Sequence, residues 1–397
     1  MANNITYGDV IMTSGLPDAL RVIYSAELQF TSAPQMVYDQ FAEIKNEHRL
    51  QHGETAVWTI YRQMAPTIGS LTENVDVDTQ QIQDFQVQMS VAEYGNAVGT
   101  TEKLDLLSYH GPISNIVRQL LAPQMARSLD RIARNAAWAG ANKKYAGGRA
   151  NRAALTAADV ATIDLVKQSA HALRMNKVRQ AAGGGYMAVV HPSNLYDLRE
   201  DPLWEDVSKY SRPENIASGE VGRLYGVRFI EADDARLPNA GAQVAQTTLN
   251  GAHAFNVNSL VVASSSGFSV GDEITIFPSA NSTPDGTSTT EENVIISDIP
   301  DGTHITLEYK TAIAHATGDK VRLALDVFPM MFLGADKPYG KAVVQSPETR
   351  VALPTDKLRR MSYVGWYTLL GYGTLRDWTY LVVESAASQD SKYIFGF

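Results

Sequence analysis

The chain has 397 residues, 44% hydrophobic and 19% charged, with a formal net charge of −9 and no cysteine. That length and apolar share suffice for more than one packed core and exclude a disordered acidic chain, while the negative balance excludes a chain-wide basic surface that grips nucleic-acid phosphates. Without cysteine there are no disulfides, thiolate nucleophiles, zinc ribbons or cysteine-held iron–sulfur clusters. The first basic residue is Arg21 and no apolar run has membrane-spanning length, so the expectation is a soluble, non-secreted protein of a reducing compartment.

Residues 1–40 are weakly periodic and punctuated by Gly8, Gly15, Pro17 and Pro34, the pattern of an extended arm with at most one short helix. Residues 57–61 alternate, and Phe85, Val87, Met89 and Val91 alternate with Gln86, Gln88 and Ser90, which predicts two strands. Residues 62–84 between them have no pattern of their own. A structureless loop of that length marks function, disorder or contact with another chain. As an antiparallel hairpin its halves would reach on the order of 35 Å at about 3.3 Å per residue, beyond the radius of a small domain.

Ile113, Val117, Leu120, Leu121, Met125, Leu129, Ile132 and Ala136 recur in steps of three and four, the stripe of a long amphipathic helix running to about Ala139, with Pro123 expected to kink or split it. Its opposite face carries Arg118, Arg127, Asp130, Arg131 and Arg134, with Asp130 and Arg134 spaced as a helical ion pair. A basic run follows, Asn142, Lys143, Lys144, Arg149 and Arg152 with Tyr145, and reads as a solvated linker rather than a nucleic-acid contact. Thr156 and Asp159 have capping-box spacing and predict a second helix through Val160, Ile163, Val166, Ala170 and Leu173, stopped by Gly183, Gly184 and Gly185. Residues 186–190 form a short apolar run, the mark of a buried strand. From about 242 to 325 the composition shifts to Ser, Thr, Asn, Gly and Val, with short strands at 260–263, 273–277, 294–297, 304–309 and 321–324 separated by Gly-Asp and Pro-Asp-Gly turns. Further strands are expected at 326–333, 361–370 and 378–384.

The chemistry is sparse. There is no phosphate-binding, zinc-protease, nucleophile-elbow or dinucleotide motif. His48 and His52, four apart and beside Glu47 and Glu54, would share a helix face, yet a metal site would need a further ligand, and an exposed polar helix end explains them as well. His191 and Pro192 end the buried strand, where active-site residues often lie, with Asp201, Glu205 and Asp206 nearby; a hydrogen-bonded structural histidine is the simpler reading. Gly219, Gly222 and Gly226 resemble an anion loop, but the segment after them alternates as a strand, so turns are favoured.

The segment His191-Pro192, Leu198-Arg199-x-Asp201-Pro202-x-Trp204, then Ile216-x-x-Gly219-Glu220-Val221-Gly222-Arg223-x-x-Gly226-Val227-Arg228-Phe229-Ile230-Glu231 resembles the major capsid proteins of tailed bacteriophages, in particular the branch of phage N4 and its relatives. Tyr94-Gly95 and Asp130-Arg131 fit the same pattern, and the likeness covers most of residues 40–240 and 326–385. The resemblance implies an α+β Hong Kong 97-type fold with an N-terminal arm (1–56) and an extended hairpin loop (57–94). It further implies a peripheral domain with a long spine helix (95–152, completed by 340–397) and an axial domain (153–240, completed by 326–339). Residues 241–325 would be a small all-β insertion domain.

The implied function is structural and non-enzymatic. The chain would self-assemble as pentamers and hexamers of an icosahedral shell in the host cytoplasm, with scaffolding and portal proteins as partners, packaged double-stranded DNA in weak non-specific contact, no membrane and no cofactor. A β-rich surface-binding module, or an α/β enzyme centred on His191, are the alternatives. Some members of the family fuse subunits through a hairpin lysine, but residues 58–93 contain none. Charge instead points to an intersubunit contact. Glu73, Asp76 and Asp78, with the apolar Ile68 and Leu71, would face Arg118, Arg127, Arg131 and Arg134 of a neighbour's helix.

Overall fold

The computed structural model describes residues 10–11, 36–46, 55–71, 73, 76–77, 79–107, 113–140, 142–181, 184–201, 223–286, 289–352 and 360–389. Two units divide the chain. Met1–Ala33, Ala42–Leu129 and Tyr339–Leu375 form the first, and Pro34–Phe41, Asp130–Pro338 and Arg376–Phe397 the second.

The first unit is built on five strands in the order Val10–Ile11, Ala92–Thr101, Met361–Thr374, Tyr339–Ala352, Ala42–Asn46. The three central strands pair antiparallel, and each outer strand runs parallel to its neighbour. Tyr339–Ala352 is absent from the sequence expectations because its register shifts between Val343 and Gln345 and again between Gln345 and Glu348, which breaks the alternation that marks a strand. Leu104, Val117 and Leu121 pack on Val364 and Trp366, and the Trp366 indole N–H donates to Gln124 Oε1 at 2.6 Å. Of the kink or split expected at Pro123, the split does not occur. Ile113–Trp138 is one helix of 26 residues, because Leu121 and Gln124 on either side of the proline are both tied to Trp366, which offsets the lost backbone bond.

The expected hairpin is Thr55–Tyr61 against Asp84–Ser90, in register from Thr55 opposite Ser90 to Tyr61 opposite Asp84. The arm does not extend to residue 56 as expected. Val37, Tyr38, Phe41 and Ala42 are buried, and Ala42–Asn46 is a sheet strand. Apart from Val10–Ile11, the arm before residue 36 lies outside the described residues.

In the second unit six strands run in the order Lys143–Tyr145, Tyr380–Ser385, Phe328–Leu333, Tyr186–Val190, Val227–Glu231, Arg223–Leu224. Phe328–Leu333 is buried at every position, which is why it reads as a continuous apolar run. Three expectations are corrected here. Tyr380–Ser385 pairs with Phe328–Leu333, so the chain's end completes this unit rather than the one holding Tyr339–Leu375. The basic run is no linker, because Lys143–Tyr145 is a strand paired with Val382–Glu384. The second helix is Ile163–Met175, capped by the Thr162 side chain, whereas Thr156 and Asp159 bond each other in the turn before it. Tyr225 (φ 49°) and Gly226 (φ 79°) close a two-residue hairpin, as a turn with both central residues left-handed requires.

A second six-stranded sheet in this unit has the order Gln243–Thr248, Lys320–Ala324, Glu273–Phe277, Glu292–Asp301, His304–Leu307, Ser259–Val261, all antiparallel. Its core, from Ala245 through Ile274, Ile276 and Ile305 to Leu323, is drawn wholly from these strands and their turns. The chain enters and leaves at neighbouring points, with Gln243 opposite Ala324 and Gly241 N–H bonded to Leu325 O at 2.8 Å.

Candidate intersubunit surface

The hairpin is fixed at its base and bare beyond it. Trp58, Ile60 and Met89 pack with Ala342 and Leu375 of the first unit's sheet. Gly371 and Gly373 make room for it. A Cβ at Gly371 would stand 2.2 Å from Ser90 O, and one at Gly373 2.9 Å from Met89 Cε. Lys45 donates to Val57 O at 2.7 Å and lies 5.4 Å from the Trp58 ring centroid, a cation–π contact at the same base.

Past Tyr61 no described residue is in a regular element until Asp84, and Tyr61, Met64, Ile68, Leu71, Val77 and Ile82 are all exposed, Ile68 at 92%. Such a row of large apolar side chains held in water by an anchored hairpin is a candidate contact surface. Ile68 and Leu71 were expected here; Met64, Val77 and Ile82 were not, because without secondary structure no period singles them out. Glu73 and Asp76 are exposed among them, and Asp78 lies outside the described residues.

The four helix arginines separate into two pairs. Arg118 and Arg127 are exposed, with no acidic partner among the described residues. Arg131 and Arg134 instead converge on Asp234. Arg131 Nη2 lies 2.9 Å from Asp234 Oδ1, and Arg134 Nη1 lies 3.3 Å from Asp234 Oδ2 while donating to Asp234 O at 2.8 Å. Arg134 is 5% exposed, lies over the Trp138 ring at 4.4 Å, and has its pKa lowered by burial. Arg134 therefore leaves the expected surface set, and the expected Asp130–Arg134 pair does not form. Asp130 Oδ1 accepts from the backbone N–H groups of Val37 and Asp39 at 3.1 and 3.0 Å.

The basic run is largely held by partners of its own unit, although Lys143 and Arg149 are exposed. Arg152 pairs with Glu384, whose side chain is 1% exposed, at 2.6 Å, Arg149 pairs with Asp159 at 2.9 Å, and Lys144 bonds Gln168.

Of the remaining candidates, His191 is described. His191 is the N-cap of the helix Pro192–Glu200, its Nδ1 accepting from Ser193 N–H at 3.1 Å and its ring 4.8 Å from Phe328. Burial first, then the nearby Arg236 charge, lower its pKa to about 4, so it is a neutral cap at ordinary pH. Glu205, Asp206, Gly219, Gly222, and His48 and His52 with Glu47 and Glu54, lie outside the described residues. Among the described residues no three His, Asp or Glu gather at metal-binding distance, and no helix is long and apolar enough to cross a membrane.

No family model matches the chain, and no curated protein does. Solved structures do. The chain is similar to the capsid of cyanophage P-SCSP1u at 11% identity and a TM-score of 0.57, covering 98% of this chain and 97% of that one. It is similar to the cyanophage Pam1 capsid asymmetric unit at 11% identity and a TM-score of 0.59, covering 97% and 100%. It is also similar to the capsid of Helicobacter pylori bacteriophage KHP30 at 12% identity and a TM-score of 0.56, covering 97% and 100%. The chain has the fold of phage capsid proteins. This is the Hong Kong 97-type expectation met at the level of fold.

Proposed function

We propose that this chain is the major capsid protein of a tailed, double-stranded DNA bacteriophage, and that it assembles with copies of itself into an icosahedral shell. The observation that carries this is a shared fold over nearly the whole of both chains. In this reading the virion capsid is its location, pentamers and hexamers are its assemblies, and the host cytoplasm is where they form. Scaffolding and portal proteins are its partners, and packaged DNA is a weak contact suited to a net negative subunit. The segment from Ile216 to Glu231 supports the phage N4-like branch. Residues 241–325 act as an insertion domain, supported by their separate sheet and core. The role is structural; the neutral, capping His191 gives the enzyme alternative no support.

Within the shell, the hairpin of residues 57–94 clamps a neighbour. Its acidic tip, with Glu73, Asp76 and Asp78, meets the exposed Arg118 and Arg127, and Ile68 and Leu71 add apolar contact. Arg131 is half exposed but already held by Asp234, so it is secondary. Each exposed pair contributes only ~0.2–1 kcal/mol, but the contact repeats in every subunit, and shells should loosen with added salt because such pairs are screened within about 10 Å at 0.1 M. The test exchanges Asp76→Lys and Arg127→Glu, singly and together. Assembly lost in each single variant and regained in the double supports the pairing. Indifference to both reversals would assign the contact to the apolar residues alone.

A further inference from the structure

Among the described residues of the second unit, Arg134 and Arg322 are buried and Arg152 and Arg236 nearly so, and three of these four are matched by carboxylates. Arg134 has Asp234, Arg152 has Glu384, and Arg236 has Glu273 and Asp326, each of these last two at 2.7 Å. Arg322 is different. It is 3% exposed, more buried than Arg134, yet no carboxylate among the described residues reaches it, and burial alone pulls its pKa down. Its Nη2 donates to Gly241 O at 2.6 Å and its Nη1 to Ser282 O at 3.4 Å, but its Nε has no acceptor among the described residues. Two carbonyl dipoles do not neutralise a guanidinium, and a buried charge without a counter-charge costs stability that a sequence keeps only for a reason.

Arg322 is also in the wall of a cavity of about 770 Å³, with Lys143, Tyr145, Arg152, Ser282 and Asp285 among the other lining residues. Two of the three cations have carboxylates near them. Arg152 is held by Glu384, and Lys143 feels both Glu384 and Asp285. The uncompensated charge of the cavity is therefore that of Arg322, in a wall shared with Lys143 and Arg152 and around a space far larger than one water occupies. A guanidinium without a counter-charge, with two further cations in the same wall, suits a phosphate or similar oxyanion.

We propose that this cavity is a binding site for a small free oxyanion of the phosphate class, which supplies the counter-charge of Arg322. The site would tie the strand Lys320–Ala324 and the loop at Ser282 to the strand Lys143–Tyr145, so that bound anion stiffens this part of the second unit. Phosphate chemistry could reach it as a free ion or as the backbone of DNA, and the experiment separates the two.

The full-length protein is titrated calorimetrically with inorganic phosphate at constant ionic strength, and in parallel with a short single-stranded oligonucleotide. The expected result is one saturable phosphate site per chain and no equivalent site for the oligonucleotide. The melting temperature should rise by about 3–6 °C when phosphate is roughly 100-fold above Kd. Arg322→Met should abolish phosphate binding. Since that variant alters a buried position, Ser282→Asp serves beside it. Ser282 is exposed and lines the same cavity as Arg322, so a carboxylate there places a negative charge in the cavity at a tolerant position and should likewise remove the phosphate response. Absence of phosphate binding to the parent, binding that persists in Ser282→Asp, or binding of the oligonucleotide alone would overturn the proposal.

Discussion

Replacing Trp58 by Ala should release the hairpin while leaving the rest of the subunit folded. Trp58 is 6% exposed and is the largest side chain of the cluster with Ile60, Met89, Ala342 and Leu375 that holds the hairpin to its sheet. Truncating a buried tryptophan costs about 3–5 kcal/mol, with about 0.5–1 kcal/mol more from the lost Lys45 contact. A two-stranded hairpin is marginal by itself, so this loss falls on local opening rather than on global unfolding. At about 1.4 kcal/mol per factor of ten, amide exchange in Thr55–Tyr61 and Asp84–Ser90 should speed up by roughly 10²·⁵–10⁴-fold. Exchange in Phe328–Leu333 should hold. Trp58→Phe, which keeps most of the packing, should show a much smaller change. Hydrogen exchange followed by mass spectrometry on unassembled subunits reads all three. Unchanged protection in the hairpin strands, or equal loss in Phe328–Leu333, would refute the view that this cluster is a local anchor.

Replacing residues 64–82 with a tight turn should leave the melting temperature within about 2 °C of the parent, since the described side chains among them are exposed, but should abolish closed shells seen by electron microscopy. Replacing residues 244–323 with a short Gly/Ser linker should still give folded subunits, because the ends meet at Gly241 and Leu325. Melting should drop, because Arg236 loses Glu273 while Arg134 and Arg152 lose the carbonyls of Gly286 and Pro284; failure to fold at all would contradict a separable sheet. His191 has a folded-state pKa near 4, below its ordinary 6.5, so the unfolded chain binds the extra proton between those values and stability falls as pH drops through that window. The contribution is at most about 3 kcal/mol, and His191→Asn, which keeps a capping acceptor without the titration, should flatten melting temperature against pH between 6.5 and 4.

What the sequence revealed, and what it hid, follows from how far apart the cooperating residues lie. The hairpin strands, the spine helix and the buried strands at Tyr186–Val190 and Phe328–Leu333 were legible because their periodicity is local. Ala92–Thr101 was not, since Gly95 and Gly99 and few apolar residues leave no alternation, although it is a central strand. Thr156 and Asp159 bonded each other as their spacing suggested, but they close a turn, and Thr162 caps the helix. The basic residues misled most. Arg152 finds Glu384 at a separation of 232 residues, and Arg134 reaches Asp234 O across 100, so charges that look surface-exposed in the chain are neutralised inside the fold. For the candidate surface, the acidic tip and Arg118 and Arg127 were readable from composition, whereas the exposure of Met64, Val77 and Ile82 required the hairpin's base to be placed first.

The most direct test of the account is electron microscopy of the purified full-length chain, expressed alone and held at low and at high protein concentration. The account expects capsomer-sized rings or closed icosahedral shells, with density for the hairpin of residues 57–94 crossing onto a neighbouring subunit. A featureless monomer under both conditions, with the chain fully folded by circular dichroism, would contradict it.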